Sequence, residues 1–64
     1  MIFKEPNKEA VLVDHAGNEI DWWDPLYSLE ENEDEWIVRI FTNDYVYNIP
    51  KEPGLTLKVR DLPE

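Results

Sequence analysis

The sequence predicts a mainly β (α+β) fold: a small antiparallel sheet or barrel of about five strands, with one short helix after the first hairpin. Three observations predict it. Short runs rich in β-branched and aromatic residues, AVLVD (10–14), WIVRIFT (36–42) and LTLKVR (55–60), are bounded by Gly, Pro, Asn and Asp. The last run sets Leu55, Leu57 and Val59 against Thr56, Lys58 and Arg60, the two-residue period of a half-buried strand. A chain of 64 residues has room for one core, so 1–64 is a single domain.

The elements follow in order. Ala10–Asp14 is a strand, His15-Ala16-Gly17-Asn18 a turn in which Gly17 and Asn18 tolerate positive φ, and Glu19–Trp23 the returning strand of a hairpin. Alternation puts Ile20 and Trp22 on one face of that strand, read as the core face, and Glu19, Asp21 and Trp23 on the other. Asp24-Pro25 has the form of a helix start, and Pro25–Leu29 makes one or two helical turns with Leu26 and Leu29 on one face. The run EENEDE (30–35) adds no apolar stripe and repels itself, so it ends the helix or forms a loop. Trp36–Thr42 is the strongest strand, Asn43-Asp44 a two-residue turn, and Tyr45–Ile49 a further strand whose Tyr45 and Tyr47 pack in the core or across strands. Pro50–Gly54 connects it to the last strand, Leu55–Arg60.

Composition narrows the class. Apolar residues make up 42%, with three Trp, three Tyr and two Phe, a content that disordered acidic tails lack. A chain this short buries only ~60% of the surface that its unfolded form exposes, so marginal to moderate stability is expected. With no cysteine there is neither a disulfide-stapled scaffold nor a thiolate zinc site. MIFKEPNKEA (1–10) has no apolar run suited to a signal peptide, and no stretch approaches the ~20 residues of a membrane span. The expectation is a cytoplasmic protein, in the host cytoplasm if it is phage-encoded.

Catalytic chemistry finds little to work with. There is one His and one Ser, and His15 sits in a turn beside Asp14 with no nucleophile near it in sequence. Paired carboxylates for glycoside hydrolysis need a cleft that so short a chain builds poorly. The acidic run, aligned to a calcium loop from Glu30, places Glu35 where Gly is required and Phe41 where a bidentate Glu is required, so only adventitious binding is expected. The reading is a non-enzyme with no cofactor and no metal site. A net charge of −9 repels phosphates, which argues against direct contact with nucleic acid or anionic lipid.

Charge placement is the most informative feature. Residues 1–8 carry Lys4, Lys8 and Glu5, and residues 39–64 balance four acids with four bases. Between them, residues 9–38 hold Glu9, Asp14, Glu19, Asp21, Asp24, Glu30, Glu31, Glu33, Asp34 and Glu35 with no Lys or Arg at all. Ordinary solvated surfaces mix signs to relieve self-repulsion, and this segment does not. In extended chain, acids two apart lie on one face ~6.6 Å from each other, a spacing that Glu19 with Asp21, and Glu31 with Glu33 and Glu35, would share. Such rows can enter a basic groove with the steering that DNA has. A purely solubilising face is the plainer reading of the same residues. Trp23 also has two readings: packing beneath the 24–30 segment, or a partly exposed anchor at an interface.

On EIDWWD (19–24), EENEDE (30–35) and the acids around them, the chain resembles the small acidic DNA-mimic inhibitors of phages and mobile elements, anti-CRISPR proteins among them. The resemblance is one of size, charge and general fold over about half the chain. It implies occupation of the DNA-binding channel of a CRISPR surveillance complex, foremost a multi-subunit type I one. Carried onto this sequence, it implies phosphate-mimicking roles for Asp14, Glu19, Asp21, Asp24, Glu30, Glu31, Glu33, Asp34 and Glu35, with residues 39–64 mainly scaffold. The expected partner is a basic nucleic-acid-binding protein or complex, and the expected state a monomer.

The alternative is an antitoxin- or immunity-like module, or a small subunit, paired with one dedicated basic partner through an anchor such as Trp23. Under either reading crowded carboxylates should hold one another's pKa values up, and screening should relieve them. The melting temperature at pH 7 is therefore expected to rise from low to moderate salt. A flat or falling trend would count against a one-sided acidic face.

Overall fold

Strand β1 (Lys8–Val13) opens the fold, and β2 (Glu19–Trp23), β3 (Leu26–Glu31), β4 (Glu35–Ile40), β5 (Tyr47–Pro50) and β6 (Thr56–Asp61) follow. The computed structural model describes residues 1–63. All pairings are antiparallel, in two three-stranded sheets ordered β2-β1-β6 and β3-β4-β5. Their facing sides bury one cluster, Ala10 and Leu12 from the first sheet and Leu26, Val38 and Ile49 from the second. Phe3, Trp23, Leu29, Trp36, Ile40, Tyr47, Leu55 and Leu57 pack around it. The arrangement is an open sandwich of six strands, not a closed barrel. No helix among the described residues is long and apolar enough to cross a membrane.

The short helix expected over Pro25–Leu29 does not form; Leu26–Glu31 is strand β3. Five residues make a poor helix, since nucleation fixes several dihedrals for one hydrogen bond. As a strand the same residues pair with β4 from Leu26↔Ile40 to Glu31↔Trp36. Their other edge is covered by the first residues of the chain, where Phe3 N–H donates to the Tyr27 carbonyl at 2.8 Å and Leu29 N–H to the Met1 carbonyl at 2.9 Å. Glu30 and Glu31 thus belong to β3 and Glu35 to β4, which leaves only residues 32–34 as the turn. Asn32 closes it, its Oδ1 accepting from the N–H groups of Asp34 (2.8 Å) and Glu35 (2.9 Å).

Two further expectations are corrected. The connection from β4 to β5 spans 41–46 rather than the two residues Asn43-Asp44, so Tyr45 lies outside the strand and is 71% exposed, while Tyr47 packs on the core. On β2, the face assignment is reversed: Trp23 packs against the core, while Trp22 and Ile20 are 59% and 50% exposed. Register explains this. Trp23 stands opposite Ala10 and Asp21 opposite Leu12, the two core residues of β1, so Trp23 and Asp21 share the inner face. A bulge then seats Glu19, not Ile20, opposite Val13.

The outer face of β1 is also sealed. Val11 is 1% exposed although it points away from the second sheet, with Trp22 and Lys58 as its neighbours in register. Arg60 closes the gap, reaching from Glu9 on one side of Val11 to Glu19 on the other. Leu26→Ala should cost about 3 kcal/mol in urea denaturation, because the residue is fully buried. Ile20→Ala should cost under about 1 kcal/mol. Equal losses would contradict the face assignment.

Candidate functional site: an acidic rim

The β1–β2 turn is built around Asp14. Its Oδ1 accepts from the N–H groups of Ala16 and Asn18, both at 2.9 Å, and Gly17 supplies the positive φ of 86° that the turn needs. These bonds, the Asn18 N–H foremost, hold the Asp14 carboxyl below its ordinary pKa.

The end of β5 meets the β3–β4 turn. Lys51 N–H donates to the Asp34 carbonyl at 2.8 Å, its ammonium pairs with Glu31 at 2.6 Å, and it lies 5.5 Å from the Trp36 ring centroid. Three residues later Gly54, at φ 88°, passes so close to His15 that a Cβ there would stand 3.3 Å from the His15 Cβ. Three Cα–Cα steps of about 3.8 Å keep Lys51 and Gly54 within about 11 Å. The two hairpin turns therefore lie at the same end of the sandwich, bridged by the β5–β6 connection. That end gathers Asp14, Glu19, Glu31, Glu33, Asp34 and Glu35, with exposed Glu52 on the bridge between them.

Within the rim the carboxylates differ. Glu19 takes a two-pronged bond from Arg60, Nη1 to Oε2 at 2.7 Å and Nη2 to Oε1 at 3.1 Å, and this holds its pKa down and that of Arg60 up. Glu35 Oε1 accepts from the Asn48 side chain at 3.1 Å. Among the described residues Asp14, Glu33, Asp34, Glu35 and Glu52 lie in no salt bridge. The expectation that crowding would raise these pKa values fails for Asp14 and Glu19, because hydrogen bonds from the Asn18 N–H and from Arg60, respectively, outweigh desolvation, the one opposing cause.

The evenly spaced rows expected from the sequence do not form either. The bulge puts Glu19 and Asp21 on opposite faces of β2, and residues 31–35 fold into a hairpin tip rather than an extended run. Asp21 lies at the middle of β2, and Trp23 and Asp24 at its far end from the turn. Asp21 Oδ1 accepts from the Trp22 N–H at 2.8 Å, and Trp23 sits 6.4 Å from Tyr47, centroid to centroid. Glu30 leaves the rim as well, bound to the Met1 ammonium at 3.0 Å.

Among the described residues Asp24, half-buried, is the one carboxyl pushed upward, by desolvation first and then by Glu9, which is 6% exposed and bound by Arg60 Nε at 2.5 Å. The exposed Trp22 and the Arg60 clamp escaped the sequence reading. Finding Trp22 needed the β1–β2 register, and finding the clamp needed contacts across most of the chain. A mixed groove of about 430 Å³, lined by Tyr27, Arg39, Phe41 and Tyr45 among others, was not anticipated either.

Comparison with protein-family models, with characterised proteins and with solved structures finds no match to this chain.

Because its folded pKa is raised, ionised Asp24 opposes folding above that pKa, and the opposition is relieved as pH falls through it. Asp24→Asn should raise the melting temperature at pH 7, by about 0.5 kcal/mol of stability, the size of a cross-strand like-charge contact. The advantage should vanish as the pH is lowered toward about 4. A gap between variant and wild type that stays constant with pH would disprove the assignment.

Proposed function

We propose that this chain is a small acidic inhibitor that docks its rim into the basic, nucleic-acid-binding surface of a protein or complex and keeps nucleic acid out. The observation that supports it is the convergence of two acidic hairpin turns at one end, where, among the described residues, Glu33, Asp34, Glu35 and Glu52 lie in no salt bridge. Concentrated charge on a sandwich of fixed shape steers a basic partner and needs little ordering on contact. A type I CRISPR surveillance complex is the target that the resemblance implies. Without phosphate-spaced rows, such mimicry works through charge density at one end rather than through a copied ladder.

A second reading, a dedicated basic partner, draws on Trp22 and Ile20, whose exposure beside the acids suits an interface anchor. One experiment separates them: capture by the tagged protein from host lysate at low and high salt, with and without duplex DNA, using wild type and a Glu33→Gln/Asp34→Asn/Glu35→Gln variant. The inhibitor reading expects DNA-binding proteins that both salt and DNA release, with retention about tenfold weaker for the variant. A single partner that survives both treatments would replace it with the dedicated-partner reading.

A further inference from the structure

Away from the rim, a cleft of about 510 Å³ runs along the free edge of β2 and is lined by Asp21, Trp22, Trp23, Asp24, Ile40 and Tyr47. Its volume lies within the range of ligand-binding clefts and leaves ample room for a single side chain. The walls are aromatic: the Trp23 and Tyr47 rings are tilted 55° to each other at 6.4 Å, so neither covers the other's face, and Trp22 is exposed. Its only ionisable groups besides the Tyr47 phenol are carboxylates, and among the described residues neither Asp21 nor Asp24 lies in a salt bridge.

Asp21 and Trp23 share the inner face of β2, about 6.6 Å apart, so a carboxylate and a ring face address the same space. Asp21 Oδ1 accepts from the Trp22 N–H, and among the described residues its other oxygen takes part in no hydrogen bond. Aromatic faces carry negative potential, and adjoining carboxylates add to it. The complementary ligand is a flat cation that stacks on rings and donates to carboxylates. A guanidinium does both and is more weakly hydrated than an ammonium. The 430 Å³ groove at the other sheet mixes Arg39 with Asp44 and selects neither sign.

We propose that the Asp21–Trp23–Asp24–Tyr47 cleft receives an arginine side chain of the basic partner. The inference rests on the proposed function for the source of that arginine, while the cleft's preference for a guanidinium stands on its own lining. The rim then supplies long-range attraction and the cleft the position at which the partner locks.

The probe is acetyl-Gly-Arg-Gly-amide, with the neutral citrulline peptide as control, titrated at about 0.15 M salt, where the Debye length is ~8 Å, and followed by the Trp23 indole N–H and Tyr47 ring signals in NMR spectra. Saturable shifts with the arginine peptide are expected, with citrulline at least about tenfold weaker. Asp21→Asn and Asp24→Asn should each weaken binding by about three- to tenfold. The rim variant Glu33→Gln/Asp34→Asn/Glu35→Gln should change it less than about twofold, since exposed charges more than a Debye length away are largely screened. Native-like amide spectra of the Asn variants confirm that the fold persists. Equal binding of citrulline, absence of shifts at Trp23 and Tyr47, or a rim variant as damaging as Asp21→Asn would each overturn the proposal. If the peptide fails while rim-dependent capture of a DNA-binding protein persists, the cleft falls alone. If the peptide binds and capture is insensitive to the rim, the docking reading falls and the cleft stands.

Discussion

The fold depends on burying both faces of β1. In a chain of 64 residues there is little apolar material to do this, and one sheet covers only one side. The inner side, Ala10 and Leu12, meets Leu26, Val38 and Ile49 of the second sheet. The outer side is closed by a charged device: the guanidinium of Arg60 held between Glu9 and Glu19 across Val11. An arginine stem is apolar along its length, so its ion pairs fix it over the hydrophobic strip that it shields. The near-complete burial of Glu9 is tolerable because the charge is paired and hydrogen-bonded.

That device organises the rest of the electrostatics. With Arg60 engaged by Glu9 and Glu19, Asp24 lies in no salt bridge among the described residues, and desolvation first, then the neighbouring Glu9, drives its pKa upward. Lys51 ties Glu31 to the end of β5, the Met1 ammonium holds Glu30, and Lys8 pairs with Asp61. Pairing thus follows the needs of strand packing and terminal anchoring. The carboxylates left over sit mostly at hairpin turns and along the edge of β2, where solvent screens them. An acidic domain of this kind keeps its scaffold near neutral and carries its repulsion at the periphery.

The edge of β2 shows the same division. Edge strands expose hydrogen-bonding groups that invite pairing with other chains, and charges and bulges are the usual safeguards. Here the Asp21 carboxylate occupies the Trp22 N–H, and the bulge near Ile20 interrupts the ladder. This edge presents side chains, two carboxylates and aromatic rings, rather than open backbone.

The sequence by itself determined that the chain is β-rich, where most strands lie, that the first turn falls at His15–Asn18, and that the acids concentrate in residues 9–38. These properties are local: β-branched runs, turn residues and charge counts are the same in any tertiary context. Only the tertiary structure decided that Leu26–Glu31 is a strand, which face of β2 turns inward, and which acids are neutralised. A six-residue segment has too weak an intrinsic preference to resist the pairing that β4 and the first residues of the chain offer it. One extra residue in a bulge exchanges the faces of Trp22 and Trp23, and no local pattern encodes it. Arg60 and Glu9 stand 51 residues apart in the chain, so their pairing, and with it the set of acids left free at the rim, exists only once β6 has docked on β1.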